Sequence, residues 1–232
     1  LLKNTFMISG LTILFGFPAP IILALMINEV KNSAFKRTVQ TITYMPYFIS
    51  MVVMCGLLKT FCMQDGLFSQ IAMAFGGSGQ NFLANPDYFR TIYVLSDIWS
   101  GIGWNSIIYL AALSSIDQEQ YEAARVDGAN RFKQMIHITL PGLVPTIMVL
   151  FILRMGNILN VGYEKILLLY NSATYITADV ISTYTYRLSF GGSGNPMYSK
   201  STAIGLFNTI INVFFLMLTN MISKKATDAG LF

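Results

Sequence analysis

The sequence predicts an all-α protein built as a bundle of membrane-spanning helices. Of its 232 residues, 54% are hydrophobic and only 11% are charged, and the mean hydropathy is +0.56. A soluble domain carries about 25% charged residues, so this chain has too few charges to solvate an ordinary surface. Its apolar residues are also gathered into long runs. We therefore expect much of the surface to contact lipid.

Five apolar segments are each long enough to cross a membrane, because about 20 residues of helix span about 30 Å of hydrocarbon. They cover residues 5–27, 38–60, 91–113, 138–160 and 200–222. Pro18 and Pro20 are expected to kink the first span, since neighbouring helices can satisfy the carbonyls that a proline frees.

Lysine and arginine predict the orientation of these spans, because cytoplasmic loops carry the excess of basic residues. One side has Lys31, Lys36, Arg37, Arg125, Arg131, Lys133, Lys224 and Lys225, and the other has Lys3, Arg90, Lys165, Arg187 and Lys200. The loop at 114–141 and the C-terminus are therefore predicted to be cytoplasmic. An odd number of spans then puts the N-terminus outside. We expect a single membrane domain, 1–232, that lacks at least one upstream span.

Neither a metal site nor a nucleotide site is expected in this chain. His137 is the only histidine, which excludes a site of several histidines. Cys55 and Cys62 are seven residues apart, about 10.5 Å along a helix, which is beyond the reach of a disulfide. Two Gly-Gly-Ser-Gly runs, at 76–79 and 191–194, lack the Lys-Ser or Lys-Thr that follows a phosphate-binding loop.

The loop at 114–141 is the densest polar stretch between the apolar segments. Asp117 and Gln120 have the spacing of a capping box, which predicts a helix beginning at Gln118. Gly128 is expected to end that helix, because glycine adopts positive φ at little cost. A second amphipathic stretch at 130–138 leads to Pro141. The pattern predicts helix, sharp turn, helix, although composition alone also fits an ordinary solvated loop.

The order of residues in this loop resembles the signature loop of the membrane subunits of bacterial ABC importers. The resemblance rests on Glu122-Ala123-Ala124, Asp127-Gly128-Ala129 and Ile138-Thr139-Leu140-Pro141. Tyr121 before the glutamate and Asp127 before the glycine are similar to the carbohydrate-uptake branch, the relatives of maltose permeases. Asp117 departs from the family, which often has proline there, but it supplies an N-cap.

Further motifs resemble the subgroup that imports complex oligosaccharides with a lipoprotein receptor. They are Asn4-Thr5, Met45-Pro46-Tyr47-Phe48, Phe75-Gly76, Ile98-Trp99, Asn160-Val161-Gly162-Tyr163-Glu164, Ser182-Thr183-Tyr184 and Ala203-Ile204-Gly205-Leu206-Phe207. The resemblance implies the bundle of a type I ABC importer in a bacterial inner (plasma) membrane, with a cytoplasmic coupling helix. It also implies a permease that is not itself an enzyme and has no catalytic residues.

The partners implied by the family are a second, similar permease subunit, two cytoplasmic ATPase subunits that bind ATP and magnesium, and an extracellular solute-binding protein. An oligosaccharide is the implied substrate, and nucleic acid is not a partner. The resemblance assigns the contact with the ATPase to the loop, at Glu122, Ala123, Ala124, Asp127, Gly128 and Ala129.

Polar groups at membrane depth are costly and often mark a substrate path. Arg154, Asn157 and Asn160 repeat every three residues and so share a helix face. With the family resemblance, we predict a path lined by Tyr47, Ser50, Gly101, Trp104, Asn105, Arg154, Asn157 and Asn160. A single amide in a membrane helix also fits a structural role, as a hydrogen bond between helices. Asp97 and Arg154 also fit a structural role, as an ion pair inside the bundle. An Arg154 that faces the cavity would favour an acidic sugar.

Three other functions remain open from the sequence. An ABC permease for another solute would share the loop. An ion-driven secondary transporter needs buried carboxylates, and only Asp97 is suitably placed. An integral membrane enzyme needs a cluster of histidine, cysteine or carboxylate groups at the membrane surface, and the sequence contains no such cluster.

Overall fold

The computed structural model describes residues 1–191, 196–227 and 230–231, so most of the second Gly-Gly-Ser-Gly run lies outside the described residues. The described chain is helical without strands, which confirms the all-α prediction. The helices are α1 (Leu2–Leu11), α2 (Pro18–Glu29), α3 (Ser33–Tyr44), α4 (Met51–Cys62), α5 (Leu67–Ala74), α6 (Pro86–Ser114), α7 (Gln118–Val126), α8 (Arg131–Gln134), α9 (Leu140–Met155), α10 (Tyr163–Leu169), α11 (Tyr175–Ala178), α12 (Ile181–Phe190) and α13 (Tyr198–Thr227).

Four helical segments of the described chain are long and apolar enough to cross a membrane. They are Leu2–Glu29, Met51–Ala74, Arg131–Met155 and Tyr198–Lys225. The predicted span at 91–113 lies inside α6, which has 29 residues but is not among the four. Its serines, Asp97 and Asn105 lower its mean hydropathy.

The predicted span at 38–60 is wrong as one continuous helix. The chain forms α3, a short 3₁₀ turn over Met45–Phe48, and then α4. Pro46 cannot donate a backbone hydrogen bond, and the Ser50 hydroxyl accepts one from the Val53 amide at 3.4 Å, which caps a new helix. The apolar segment that follows begins at Met51.

Two π turns precede prolines in the long helical segments. One covers Thr12–Gly16 before Pro18, and the other covers Met135–Thr139 before Pro141. A proline removes one amide donor to the preceding turn, and a wider turn lets the remaining donors find carbonyls without ending the helix. Where a kink was predicted near Pro18, the chain forms a π turn, and helix continues through it.

The core has two parts that follow one another along α6. Near its beginning, Phe89 and Tyr93 pack with residues of α1, α4 and α10. Near its end, Tyr109 and Leu113 pack with residues of α2 and α9. The middle of α6 carries small and polar residues, so the polar interior of the bundle lies between two apolar cores.

Gly103 allows α3 and α6 to approach closely. A methyl group at this position would overlap the backbone carbonyl of Thr43. A rigid carbonyl cannot rotate away as a flexible side chain can, so only glycine fits at this crossing.

Helix α13 is polar inside and apolar outside, the reverse of a soluble helix. Its buried residues include Ser201, Asn212 and Thr219, whereas Leu206 and Ile210 are exposed. The Asn212 side chain accepts a hydrogen bond from the Leu159 amide at 3.1 Å. Such a pattern is stable where the outer solvent is lipid and where polar groups must find partners within the protein.

A network of polar side chains fastens α11 and α12 to the start of α1 and α6. Asn4 donates to the carbonyls of Ile176 and Asp179, each at 2.9 Å, and accepts from Arg90 at 2.8 Å. Asp179 forms a two-pronged ion pair with Arg187 at 2.7 and 2.8 Å. We use the term outer clamp for the four residues whose side chains form this network, because they lie on the side predicted to be external. They are Asn4, Arg90, Asp179 and Arg187.

Replacing Gly103 with alanine is expected to destabilise the protein by about 1–3 kcal/mol, the usual cost of forcing an extra group into a packed site. Gly205→Ala is the matched control, because a methyl group there meets no atom within 4 Å. Thermal unfolding in detergent gives the melting temperature of each variant. Equal melting temperatures for the two variants would contradict the close approach of α3 and α6.

Acid is expected to weaken the outer clamp. Burial raises the pKa of Asp179, but hydrogen bonds from Arg187 and Thr183 and the Arg187 charge outweigh it, leaving the pKa below its usual 3.8. A carboxyl with a lowered folded-state pKa stabilises fully above its unfolded pKa and loses that contribution as pH falls through the folded value. Below pH 3.8, melting temperatures should therefore fall more steeply with decreasing pH in the wild type than in Asp179→Asn, whereas above that pH the two slopes should agree.

Candidate functional site: an exposed helical knob and two polar cavities

The loop between α6 and α9 folds as the predicted helix, turn and helix. The Asp117 carboxylate accepts from the Glu119 amide at 3.0 Å and so caps α7. Gly128 has a φ of +74°, and the Ala129 amide donates to the Ala124 carbonyl at 2.8 Å. This bond over five residues, with a left-handed glycine, is the Schellman ending of a helix. We call residues 117–134 the knob.

Side-chain contacts join the knob to the helices on either side. The Tyr121 hydroxyl lies 3.0 Å from the Thr139 hydroxyl in the π turn before α9. Arg131 lies 3.5 Å from Glu29 at the end of α2, and within the knob Gln134 donates to the Ala129 carbonyl at 2.8 Å. A force on α7 would therefore reach the start of α9 directly and the end of α2 through a weaker surface contact.

The outer surface of the knob is small and partly apolar. Among the predicted contact residues, Glu122, Ala123, Asp127 and Gly128 are exposed, and Ala124 and Ala129 are half-buried. Val126, which the sequence analysis did not single out, is 88% exposed. The knob therefore exposes a small side chain at Ala123 and large apolar ones at Val126 and Phe132, which suits contact with another protein. The role of these residues in coupling remains a prediction.

Two polar cavities lie between the apolar cores. The outer cavity, of about 340 Å³, is bounded by α1, α6, α10 and the end of α9. The inner cavity, of about 240 Å³, is bounded by α2, α6 and α9. Thr12, Asp97 and Arg154 line both cavities. These three residues form the wall that the two spaces share.

Five of the eight predicted path residues line these cavities. Arg154, Asn157 and Asn160 line the outer cavity, where Asn160 donates to the Asn157 side chain at 3.1 Å. Gly101, Asn105 and Arg154 line the inner cavity. The amides and the guanidinium can hydrogen-bond to hydroxyl or carboxylate groups of a ligand. Their contact with a substrate remains a prediction.

The other three predicted path residues lie apart from both cavities. Tyr47 stacks on Trp104 with the ring centroids 4.6 Å apart and the planes nearly parallel. Ser50 caps α4. The Tyr47 and Trp104 rings are partly exposed, and neither lines the outer or the inner cavity. The aromatic pair and the two cavities are therefore separate features within this chain.

Asp97 forms its ion pair with Lys165, not with Arg154 as one prediction proposed. The Lys165 ammonium lies 3.4 Å from the Asp97 carboxylate and donates to the Tyr93 carbonyl at 2.9 Å. Lys165 is only 2% exposed, which also corrects its count as a residue of the outer surface. Sequence separation explains the error, because Asp97 and Lys165 are 68 positions apart.

Lys165, Tyr93 and Thr12 are cavity residues that the sequence analysis missed. Lys165 directly precedes the apolar run Ile166-Leu167-Leu168-Leu169. A lysine next to such a run tends to be buried with it and then needs a partner, and this was the available signal. Within the described residues, no group of three or more histidine, cysteine or carboxylate side chains is placed to hold a metal ion.

Comparisons with known proteins place the chain among transport proteins. Residues 16–228 match the family described as binding-protein-dependent transport system inner membrane component. Protein LplB of Bacillus subtilis (strain 168) is 44% identical over 233 residues, covering 100% of this chain and 72% of that protein. The polygalacturonan/rhamnogalacturonan transport system permease protein YteP of the same organism is 41% identical over 233 residues, with the same coverage of both proteins.

A solved structure has the same fold. It is a bacterial ABC transporter involved in the import of the acidic polysaccharide alginate, and its matching chain is 48% identical. The superposition gives a TM-score of 0.92 and covers 97% of this chain and 78% of the other.

Proposed function

Since the chain belongs to the family of binding-protein-dependent transport system inner membrane components, we propose that it forms half of the membrane path of an importer for acidic oligosaccharides. The resemblance found in the loop is thereby confirmed at the level of the family. The observation that carries the functional proposal is Arg154, an exposed cation that lines both polar cavities.

The chain is a permease subunit of a sugar or oligosaccharide importer, not an enzyme, since its relatives are permeases of such systems. Membership of a binding-protein-dependent family also removes the reason to invoke an ion-driven secondary transporter. We propose a complete transporter that contains a second permease subunit, two ATPases that bind ATP and magnesium, and an external solute-binding protein. A bacterial inner membrane follows from the family.

We further propose that α6 is a fifth membrane span. Its 29 residues measure about 43 Å as a helix, more than the hydrocarbon core requires. Its two ends lie in the two apolar cores, and its polar middle faces the cavities. A helix enclosed by other helices can carry more polar groups than one that faces lipid, so its low hydropathy agrees with a central position.

The knob is proposed to couple the chain to the ATPase. Its exposed face is small at Ala123 and apolar at Val126, and its turn depends on Gly128. Movement of the ATPase would press on α7, and the Tyr121–Thr139 contact would carry that movement into α9. Arg154 lies on α9, so ATP-driven movement would reposition the cavity wall. ATP must then favour one arrangement of the helices over the other.

Ala123→Trp is expected to separate the ATPase from the permease. A large ring on this exposed position leaves the interior of the chain unchanged but overfills a docking cleft, at a cost of about 1–3 kcal/mol or more. Co-purification of the ATPase, and ATP hydrolysis stimulated by the binding protein, should fall about fivefold or more.

Ala173→Trp is the matched control, because Ala173 is exposed on the side predicted to be external. It should co-purify with the ATPase as the wild type does. Retention of the ATPase by the Ala123→Trp variant would argue against docking through the knob, whatever the substrate proves to be.

Arg154 is proposed to bind the carboxylate of a uronate. Guanidinium groups bind carboxylates through two parallel hydrogen bonds, and Asn157 and Asn160 lie beside it for hydroxyl groups. The relatives that transport polygalacturonan and alginate support an acidic polymer as the substrate class. A neutral sugar would leave the arginine without a partner.

Arg154→Gln is expected to lower the uptake of acidic sugars selectively. Uptake by the complete transporter is compared for uronate trisaccharides and for neutral trisaccharides of the same ring and linkage. The acidic-to-neutral ratio should fall about tenfold, since a hydrogen-bonded charge contributes about 1.5–3 kcal/mol. The same binding protein delivers the sugars to the wild type and to the variant, so its own preference cancels when the two uptake ratios are compared.

Lys200→Gln removes an exposed positive charge at the start of α13 and should leave the ratio unchanged. Equal losses for acidic and neutral sugars in the Arg154→Gln variant would exclude a carboxylate-binding role and favour a purely structural one.

A further inference from the structure

The shared wall of the two cavities contains more charge than one arginine. Arg154 and Asp97 line both cavities, and Lys165 and Glu164 line the outer one. Two cations and two carboxylates therefore line the outer cavity. Which charge remains free for a ligand depends on how these four groups pair.

Lys165 is held firmly in place. Its ammonium donates to the Tyr93 carbonyl at 2.9 Å and lies 4.4 Å from the centre of the Tyr93 ring. Burial of a lysine is costly unless its charge is compensated, and the carbonyl, the ring and Asp97 together provide that compensation. The ammonium is thus a fixed positive charge at the side of the cavity.

Asp97 is held less tightly. Its carboxylate is 42% exposed and lies 3.4 Å from Lys165, longer than the usual 2.7–2.9 Å of a strong charged hydrogen bond. The carboxylate therefore remains accessible from the cavities that Arg154 also lines. A free guanidinium facing the same space would bind it well.

Arg154 has no carboxylate within salt-bridge distance among residues 1–191, 196–227 and 230–231. Glu164 is the other acidic group of the outer cavity, and it is occupied by a weak hydrogen bond from the Tyr163 hydroxyl at 3.4 Å. At the wall that the two cavities share, Asp97 thus has an ion-pair partner and Arg154 has no carboxylate partner among the described residues.

We propose that Lys165 is a positioning residue for substrate selection: by holding Asp97, it prevents that carboxylate from occupying Arg154 and so keeps the guanidinium free for a sugar carboxylate. This inference rests on the proposed function. It assigns Lys165 no contact with substrate. The charge that recognises the ligand belongs to Arg154, and Lys165 determines whether that charge is available.

The Lys165→Met variant should lose selectivity for acidic sugars even though Arg154 is intact. Released from Lys165, Asp97 pairs with Arg154, and the acidic-to-neutral uptake ratio falls on the order of tenfold, as in Arg154→Gln. Lys165→Arg keeps a positive charge at this position and should retain the wild-type ratio. Lys200→Met controls for the loss of a lysine elsewhere.

The decisive variant is the double substitution Lys165→Met with Asp97→Asn. With the competing carboxylate removed, Arg154 is free again, and the wild-type ratio should return. Removing both partners of an ion pair leaves no unpaired charge, so this variant is expected to assemble even where Lys165→Met alone does not. A merely structural role of Lys165 predicts no such recovery of the ratio.

Glu164→Gln in the Lys165→Met background distinguishes the two carboxylates. It should not restore the ratio, because Asp97 is still present. Recovery with Glu164→Gln but not with Asp97→Asn would overturn the assignment of Asp97 as the competitor. A double Lys165→Met, Asp97→Asn variant whose ratio matches Arg154→Gln would overturn the proposal as a whole.

A structure of the assembled Lys165→Met transporter tests the same point without any sugar. The Asp97 carboxylate should lie within hydrogen-bond distance of the Arg154 guanidinium, and a carboxylate that stays apart would contradict the inference. Failure of the proposed function is distinguishable from failure of the inference about Lys165. If the proposed function fails, the Arg154→Gln variant keeps the wild-type uptake ratio.

Discussion

The need to pair polar groups inside a bundle surrounded by hydrocarbon is the constraint on which the structure depends. A backbone or side-chain dipole left unpaired in lipid costs several kcal/mol, so the helices turn their polar residues toward one another. Helix α13 shows this directly, with Asn212 bonded to the Leu159 amide and Ile210 facing outward. The same constraint explains the π turns before prolines. Apolar packing accompanies the polar pairing, and two cores form around Phe89 and Tyr93 near the beginning of α6 and around Tyr109 and Leu113 near its end.

Polar pairing also divides the molecule into rigid ends and an adjustable middle. The outer clamp has short, charge-assisted bonds around Asp179, and the knob is capped at both of its turns. Between them, the cavity wall has one long ion pair and an arginine without a carboxylate partner in the described chain. Strong pairing keeps the two ends in a constant shape. Weak pairing in the middle leaves Asp97 and Arg154 able to exchange partners, as the proposed binding of a ligand requires.

Local features of the fold could be predicted from the sequence, whereas long-range pairing could not. The knob was predicted nearly residue by residue, because an N-cap at Asp117 and a turn at Gly128 depend on neighbours within a few positions. The break at Pro46 was missed because the apolar run masks it. Arg154, Asn157 and Asn160 were singled out by their spacing of three, and all three line the outer cavity. The shared helix face predicted for them was wrong, because α9 ends at Met155 and the two asparagines lie in the turn and loop that follow. The partner of Asp97 could not be predicted, because only the packing of α10 against α6 brings Lys165 to it. In the count of basic residues, Lys165 was only one of those assigned to the external side.

The position of Lys165 shows why the charges of a transport path cannot be judged by counting. The outer cavity has two cations and two carboxylates, so its formal charge is zero, and a count alone predicts no preference for acidic or neutral ligands. Geometry gives a different answer. One cation is buried and fixed against Tyr93, one carboxylate is held beside it, and the remaining arginine faces both spaces. Coulomb interactions fall with distance and are weakened by water, so a ligand at the shared wall interacts most strongly with the group that no neighbour has neutralised. Under the proposed function, selectivity depends on which charges are already paired, and a residue that does not contact the substrate determines that pairing.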